Sequence, residues 1–415
     1  MSAKAEPVQY EARDVLYLWW LGRPQVPVLI GDLQLVRTQR SVSLRYDPNW
    51  IAHGFALSED LPLLDQAFIA VDQDAVVGAV DDARPDRWGE RVIRLVDRPA
   101  RLSLMEFLFL AGDDRFGALG VSLSRSAYEP RWLGPLPQMA EVEAMAAAVH
   151  KVMAGELVAD DLKRLITPGV TMGGARPKAL VNLDGQQWVL KFSEPGESLD
   201  VPLIEHAAMS LSGLAGIRAA QTMPVPLKRG HAVTVRRFDR DGGMRLHTLS
   251  AFVALRAAGE DMAYPALAQL LRRRGPVRGG IAKAHMRELF RRMVFNILID
   301  NTDDHEKNHA LLMTDAGEYT LSPAFDVLPT GQAMGYQQMR VGRDGAVSSL
   351  DNALSDVSQF GLSKQDAQAD VRLVAHAVDG WRDHFAACGV TAIDIQSLAD
   401  QIDRADLLKQ RRAWL

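Results

Sequence analysis

The chain has 415 residues, 47% of them apolar and 24% charged, with a formal charge of −5. That length exceeds one ordinary core and implies two or three domains, and the composition is that of a soluble globular protein rather than a disordered or fibrous one. The mildly acidic balance excludes a surface that coats nucleic acid throughout and leaves room only for a local basic patch. A single cysteine, Cys388, forms no internal disulfide and supplies no cysteine-based zinc site. No run reaches membrane-span length and the first residues lack a signal-peptide core, so a cytoplasmic location without membrane contact is expected.

Val15 to Trp20 reads as a strand on its aromatic and β-branched residues, and Val26 to Ile30 and Ser41 to Tyr46 continue a small β-rich unit. Asp86 opens a helical stretch, and Leu104 to Ala111 is a short apolar helix before glycines 112, 117 and 120. Between Tyr128 and Pro137 the three prolines and one glycine mark a boundary. Glu141 to Met153 is an alanine-rich helix. A glycine-rich turn, Val170 to Lys178, then opens onto a hairpin whose tip is Asp184-Gly185 and whose second strand carries Lys191. Alternation places Trp188, Leu190 and Phe192 on one face and Lys191 on the other, toward solvent or a cleft.

Pro202 to Leu214 has the apolar spacing of an amphipathic helix, with Glu205 read as part of its solvated face in preference to a partner for Lys191. A strand follows at 231–238, and the composition then turns helical. The spacing of Met286, Leu289, Phe290, Met293, Val294, Ile297 and Leu298 predicts a buried helix over His285 to Asp300. It runs into Asn301-Thr302-Asp303-Asp304-His305-Glu306-Lys307-Asn308, after which a second hairpin leads to Asp326. The remainder, including 366–378 and 393–415, reads as mostly helical. The expected fold class is therefore α+β, divided into an N-terminal β-rich subdomain with short helices (1–138), a mixed region (139–240) and a helical region (241–415).

These pieces stand in the order that phosphoryl transfer from ATP requires: backbone donors for phosphates, a cation, oxygen ligands for magnesium and a carboxylate beside the attacking hydroxyl. Asp303 and Asn308 have the Asp-x-x-x-x-Asn spacing of protein-kinase catalytic loops, after a long helix and before a hairpin that ends in another Asp. The usual histidine-arginine pair before the Asp is missing, and Asp326-Val327-Leu328 stands where Asp-Phe-Gly is usual. An ordinary eukaryotic-type kinase is excluded.

With Gly173-Gly174-Ala175-Arg176-Pro177-Lys178, Lys191, Arg237-Phe238-Asp239-Arg240, Asn301 to Asn308, Phe325-Asp326-Val327-Leu328-Pro329 and the N-terminal Pro85-Asp86-Arg87-Trp88-Gly89, the sequence resembles the HipA family of bacterial serine/threonine kinases, toxins of type II toxin–antitoxin modules. The resemblance covers nearly the whole chain and implies a kinase-like two-lobed fold with an extra N-terminal subdomain. It implies Asp303 as catalytic carboxylate, Asn308 and Asp326 as magnesium ligands, and Lys191 on the ATP phosphates. It also implies Gly173, Gly174, Ala175, Arg176, Pro177 and Lys178 as a phosphate loop, Arg236, Arg237 and Phe238 as an adenine hinge, and His305, Glu306, Lys307 and Phe325 as completing the nucleotide site. Thr171 stands where relatives carry a self-phosphorylated serine. Implied partners are a protein substrate, for which the family offers aminoacyl-tRNA synthetases, a helix-turn-helix antitoxin, and DNA through that antitoxin.

Other readings compete. A small-molecule kinase, or a catalytically silent protein that binds nucleotide, antitoxin or DNA, would keep much of the same pattern. His305-Glu306-Lys307-Asn308-His309 matches a zinc-protease motif, but that motif works only on an α-helix. Here a strand-like segment follows, and His309 is read as structural. Arg272, Arg273, Arg274, Arg278, Arg291 and Arg292 form a basic cluster, read as a solvated face rather than a nucleic-acid contact because no aromatic residues interleave.

Overall fold

The computed structural model describes residues 10–131, 134–166, 168, 169, 174–330 and 332–415. Thr171 and Gly173 lie outside them. The chain packs as two compact units, Met1–Leu190 with Asp239–Leu249, and Lys191–Phe238 with Ser250–Leu415.

In the first unit, β1 (Val15–Trp20), β2 (Val28–Val36), β3 (Ser41–Tyr46), β4 (Ala67–Phe68) and β5 (Leu119–Ser122) form one antiparallel sheet in the order β4-β3-β2-β1-β5. The alternation of the strands delivers Leu16, Leu18, Ile30, Leu33, Val42 and Leu44 to the interior, each fully buried. Against this sheet lies α1 (Leu104–Leu110), started by a capping box in which Ser103 accepts from the Met105 amide and Glu106 reaches back to the Ser103 amide. Glu106 is itself buried, and Arg101 pairs with it at 2.9 Å.

Next come α2 (Val142–Met153) and the hairpin of β6 (Lys178–Leu183) and β7 (Gln186–Lys191). Asp184 and Gly185 both adopt left-handed backbone at its tip (φ 51° and 76°), as a two-residue turn of this type requires. Pro137 and Gln138 run beside β6, the Asn182 amide donating to the Pro137 carbonyl.

In the second unit, α3 (Val201–Leu214) packs on the antiparallel pair β8 (Thr222–Pro226) and β9 (His231–Arg236). The helical remainder is built around α6 (Ile281–Leu298), flanked by α5 (Tyr264–Arg274) and α7 (Lys364–Asp379). α4 (Ala251–Ala257) precedes them in the chain. Every apolar position that the spacing assigns to α6 is at most 4% exposed. The short hairpin β10 (Ala310–Met313) and β11 (Tyr319–Leu321) follows the loop that α6 feeds. Among the described residues no helix is long and apolar enough to cross a membrane.

Candidate functional site

The second unit gathers most of the expected residues. Lys191, predicted to face solvent or a cleft, is 4% exposed and donates from Nζ to Glu205 Oε1 and Asp326 Oδ1, both at 2.6 Å. Burial pulls this ammonium's pKa down, but the charges of Asp326 and then Glu205 outweigh it and hold the lysine protonated above its ordinary range. Glu205 corrects the sequence reading: it is 1% exposed, not on a solvated face. Helical spacing carried no signal for this, because the helix buries Glu205, Met209 and Ser212 along with its apolar residues. Asp326 has left-handed backbone (φ 58°), a conformation uncommon for a residue with a Cβ. Next to it Phe325 is buried, and its ring lies 5.3 Å from that of Phe238. Of the other residues expected at the hinge, Arg236 is exposed with its amide donating to the Gln221 carbonyl, and Arg237 is buried.

The loop after α6 alternates between water and interior. Asp303 and Lys307 are exposed, the latter with its ammonium 4.8 Å over the Phe252 ring of α4. Asn301, Thr302, Asp304, Asn308 and His309 are at most 4% exposed. Buried polar groups need partners, and most of the loop's have them: the Asn301 side-chain amide donates to Asn296 Oδ1 (3.1 Å), and Thr302 and Thr330 share a hydroxyl contact (2.9 Å). Asp304 accepts from the Tyr264 hydroxyl and contacts His309 Nε2 at 3.0 Å. Burial raises the Asp304 carboxyl's pKa, but His309 and the hydrogen bonds from His309 and Tyr264 more than compensate and hold it below the usual range. The Asn308 side-chain nitrogen donates to the Asp303 carbonyl at 3.3 Å. Its Oδ1 is buried without a hydrogen-bond partner among the described residues, as is Nδ1 of the half-buried His305.

One reading is kept here and one changes. His305 to His309 is not an α-helix, since Glu306–Asn308 is a single 3-10 turn. The two imidazoles lack the shared helical face that a zinc motif needs, and His309 is engaged with Asp304. The basic cluster is also divided: Arg292 is 3% exposed and bonded to Glu288 and the Ser322 carbonyl, Arg291 pairs with Asp370 at 2.7 Å, and Arg273 with Glu260 at 3.0 Å.

The glycine-rich turn belongs to the first unit. Ala175 is exposed, Arg176 half-buried and Pro177 buried. Lys178 is fully buried and donates to Asp86 Oδ2 at 2.6 Å and to the Gly174 carbonyl at 3.3 Å. Asp86 also accepts from the Gly89 amide, and Trp88 Nε1 donates to the Lys178 carbonyl at 2.7 Å. The Lys178 ammonium thus braces the turn from inside.

The profile of the HipA-like C-terminal domain matches residues 170–381, and that of the HipA N-terminal domain matches residues 27–122. The chain belongs to the HipA family. Similar proteins include Y4dM of Sinorhizobium fredii, a protein named as a kinase by inference. The two are 30% identical over 251 residues, a region that spans 57% of this chain and 58% of the relative's own length. Among solved structures, HipA of Shewanella oneidensis MR-1, in complex with HipB and its operator DNA, superposes with a TM-score of 0.64. The match covers 96% of this chain and 97% of that one at 18% identity. The fold is the expected α+β one, shared with the Shewanella HipA.

Proposed function

We propose that this HipA-family chain is an ATP- and magnesium-dependent protein serine/threonine kinase that acts in the cytoplasm as a growth-inhibiting toxin. The observation that carries the reading is Lys191, a buried ammonium shared at 2.6 Å by Glu205 and Asp326. Such a lysine can contribute charge to a phosphate while Glu205 keeps it oriented.

Magnesium takes oxygen ligands. Asn308 Oδ1, buried without a partner among the described residues, and the Asp326 carboxylate are donors of that kind, so the residues fit the ion. When bound, magnesium would supply positive charge beside the phosphate oxygens. Asp303, exposed on its loop, orients a substrate hydroxyl and takes its proton as the hydroxyl oxygen bonds to the γ-phosphorus and the bond to the β-phosphate oxygen breaks, releasing ADP. Gly173, Gly174, Ala175, Arg176, Pro177 and Lys178, the last of which also holds the Gly174 carbonyl, complete the proposed nucleotide set with Arg236, Arg237, Phe238, His305, Glu306, Lys307 and Phe325. In this proposal 1–138 is an accessory subdomain, 139–240 carries the phosphate loop and hinge, and 241–415 carries Asp303, Asn308 and Asp326.

An aminoacyl-tRNA synthetase is the proposed class of target, and Thr171, outside the described residues, the proposed site of self-phosphorylation. A helix-turn-helix antitoxin is the proposed partner, with DNA reached through it, in keeping with the HipB and operator DNA bound to the Shewanella relative. The test is incubation with labelled ATP and cell lysate. Wild type labels a discrete protein substrate and Asp303→Asn does not; equal labelling by both refutes the assignment.

A further inference from the structure

The loop that holds Asp303 and Asn308 lacks the histidine-arginine pair that precedes the Asp in ordinary kinases; Asn301 and Thr302 stand there instead. Its anchorage therefore comes from elsewhere. Asn301 and Thr302 tie the entry of the loop to Asn296 and Thr330. Asp304 does something different, because its partners come from two other places: Tyr264 begins α5, 40 residues earlier, and His309 closes the loop before β10. The Tyr264 and His309 rings also meet edge to face, their centroids 5.5 Å apart. The cavity beside this cluster measures about 10 Å³, too small for a ligand, so these groups are packed against one another.

Burying a carboxylate is costly, and an apolar residue of similar size would fill the same space at lower cost. What an apolar residue lacks is direction. Asp304 lies between Asp303, which it leaves facing outward, and Asn308, whose neighbour it grips. The contact from 304 to 309 brackets Asn308 within a six-residue loop.

We propose that Asp304 is the positioning residue of this loop: clamped by Tyr264 and His309, it sets the spacing between the Asp303 carboxylate and the Asn308 amide. The roles of Asp303 and Asn308 rest on the kinase reading above; the clamp rests on the contacts alone. It replaces from within the chain interior the anchorage that other kinases draw from the residues before their catalytic Asp.

The test uses the full chain as wild type, Tyr264→Phe, Asp304→Asn and the double variant, with two readouts. By hydrogen exchange, each single change speeds exchange of the 301–309 amides about tenfold, the loss expected for one hydrogen bond to a charged group, while the α6 amides keep their protection. In phosphate transfer, the magnesium concentration for half-maximal rate rises about tenfold in each single variant. A mere loss of folded protein would lower the rate without moving that concentration. The double variant is no worse than the poorer single one in either readout, because both remove the same clamp. Unchanged loop exchange in both single variants, or effects that multiply in the double, would overturn the proposal. Should Asp304→Asn fail to fold, Tyr264→Phe, which removes one hydroxyl, carries the test. If wild type transfers no phosphate, the kinase reading falls and the exchange data still decide the clamp.

Discussion

Each compact unit buries a lysine against carboxylates, and the two sites differ in one respect. In the first, Lys178 meets Asp86 and the Gly174 carbonyl, and desolvation dominates at Asp86, raising its carboxyl's pKa above the ordinary value. In the second, Lys191 meets two carboxylates from different parts of the chain, and it is the lysine that the pairing stabilises in its charged form. A buried ion pair that loses one member leaves an uncompensated charge, which is strongly destabilising. Lys191 can release Asp326 toward a cation and still keep Glu205. The first arrangement suits a brace, the second a site whose partners exchange.

The largest expected effect is on the second site. Asp326→Asn lowers phosphate transfer by about a thousandfold or more with the far-ultraviolet circular dichroism unchanged, since it removes a proposed metal ligand from an intact lysine–glutamate pair. A smaller loss than tenfold would remove the distinction between exchanging site and brace. Next, Lys178→Met strands Asp86 and lowers stability by about 3–5 kcal/mol in denaturant melts. A shift below about 1 kcal/mol would show that Lys178 braces nothing.

A third comparison uses one buried histidine from each unit. His247 in the first and His285 in the second have pKa values pushed down to about 4, in both cases chiefly by burial. His285 Nδ1 accepts from the Leu321 amide, so protonation costs that bond as well. With folded values below the unfolded 6.5, the unfolded chain binds more protons between about pH 6.5 and 4, and stability falls as pH drops through that window. Each contributes of the order of 2 kcal/mol. Melts from pH 7 to 4.5 should lose less stability in His285→Gln than in wild type; identical slopes would contradict this. The smallest effect is Phe238→Ala, which removes the ring contact with Phe325 and costs about 0.5–1.5 kcal/mol beyond area burial, measured by melting against Phe238→Leu.

What the sequence revealed followed from periodicity and turn chemistry. The spacing from Met286 to Leu298 located α6, Asp184-Gly185 the hairpin tip, and the Asp303 to Asn308 interval the loop. Periodicity failed where both faces of an element are buried. Strand β7 shows no solvent face at Lys191, and α3 buries so wide an arc that Glu205 falls inside it. Prolines 224 and 226 hid β8, because proline removes a ladder donor and is tolerated only at edges. The Asp304 clamp was invisible for another reason: its partner Tyr264 is remote in sequence, and a run of polar residues reads as a solvated loop until their burial is known.

Lys191, Asn308 and Asp326 are proposed as a magnesium-nucleotide site, which calorimetric titration of ATP with and without magnesium puts to the test. Wild type should bind ATP at least about tenfold more tightly with magnesium than without, and Asp326→Asn should lose that difference. Equal binding with and without magnesium in wild type, or an undiminished magnesium effect in Asp326→Asn, would contradict the account.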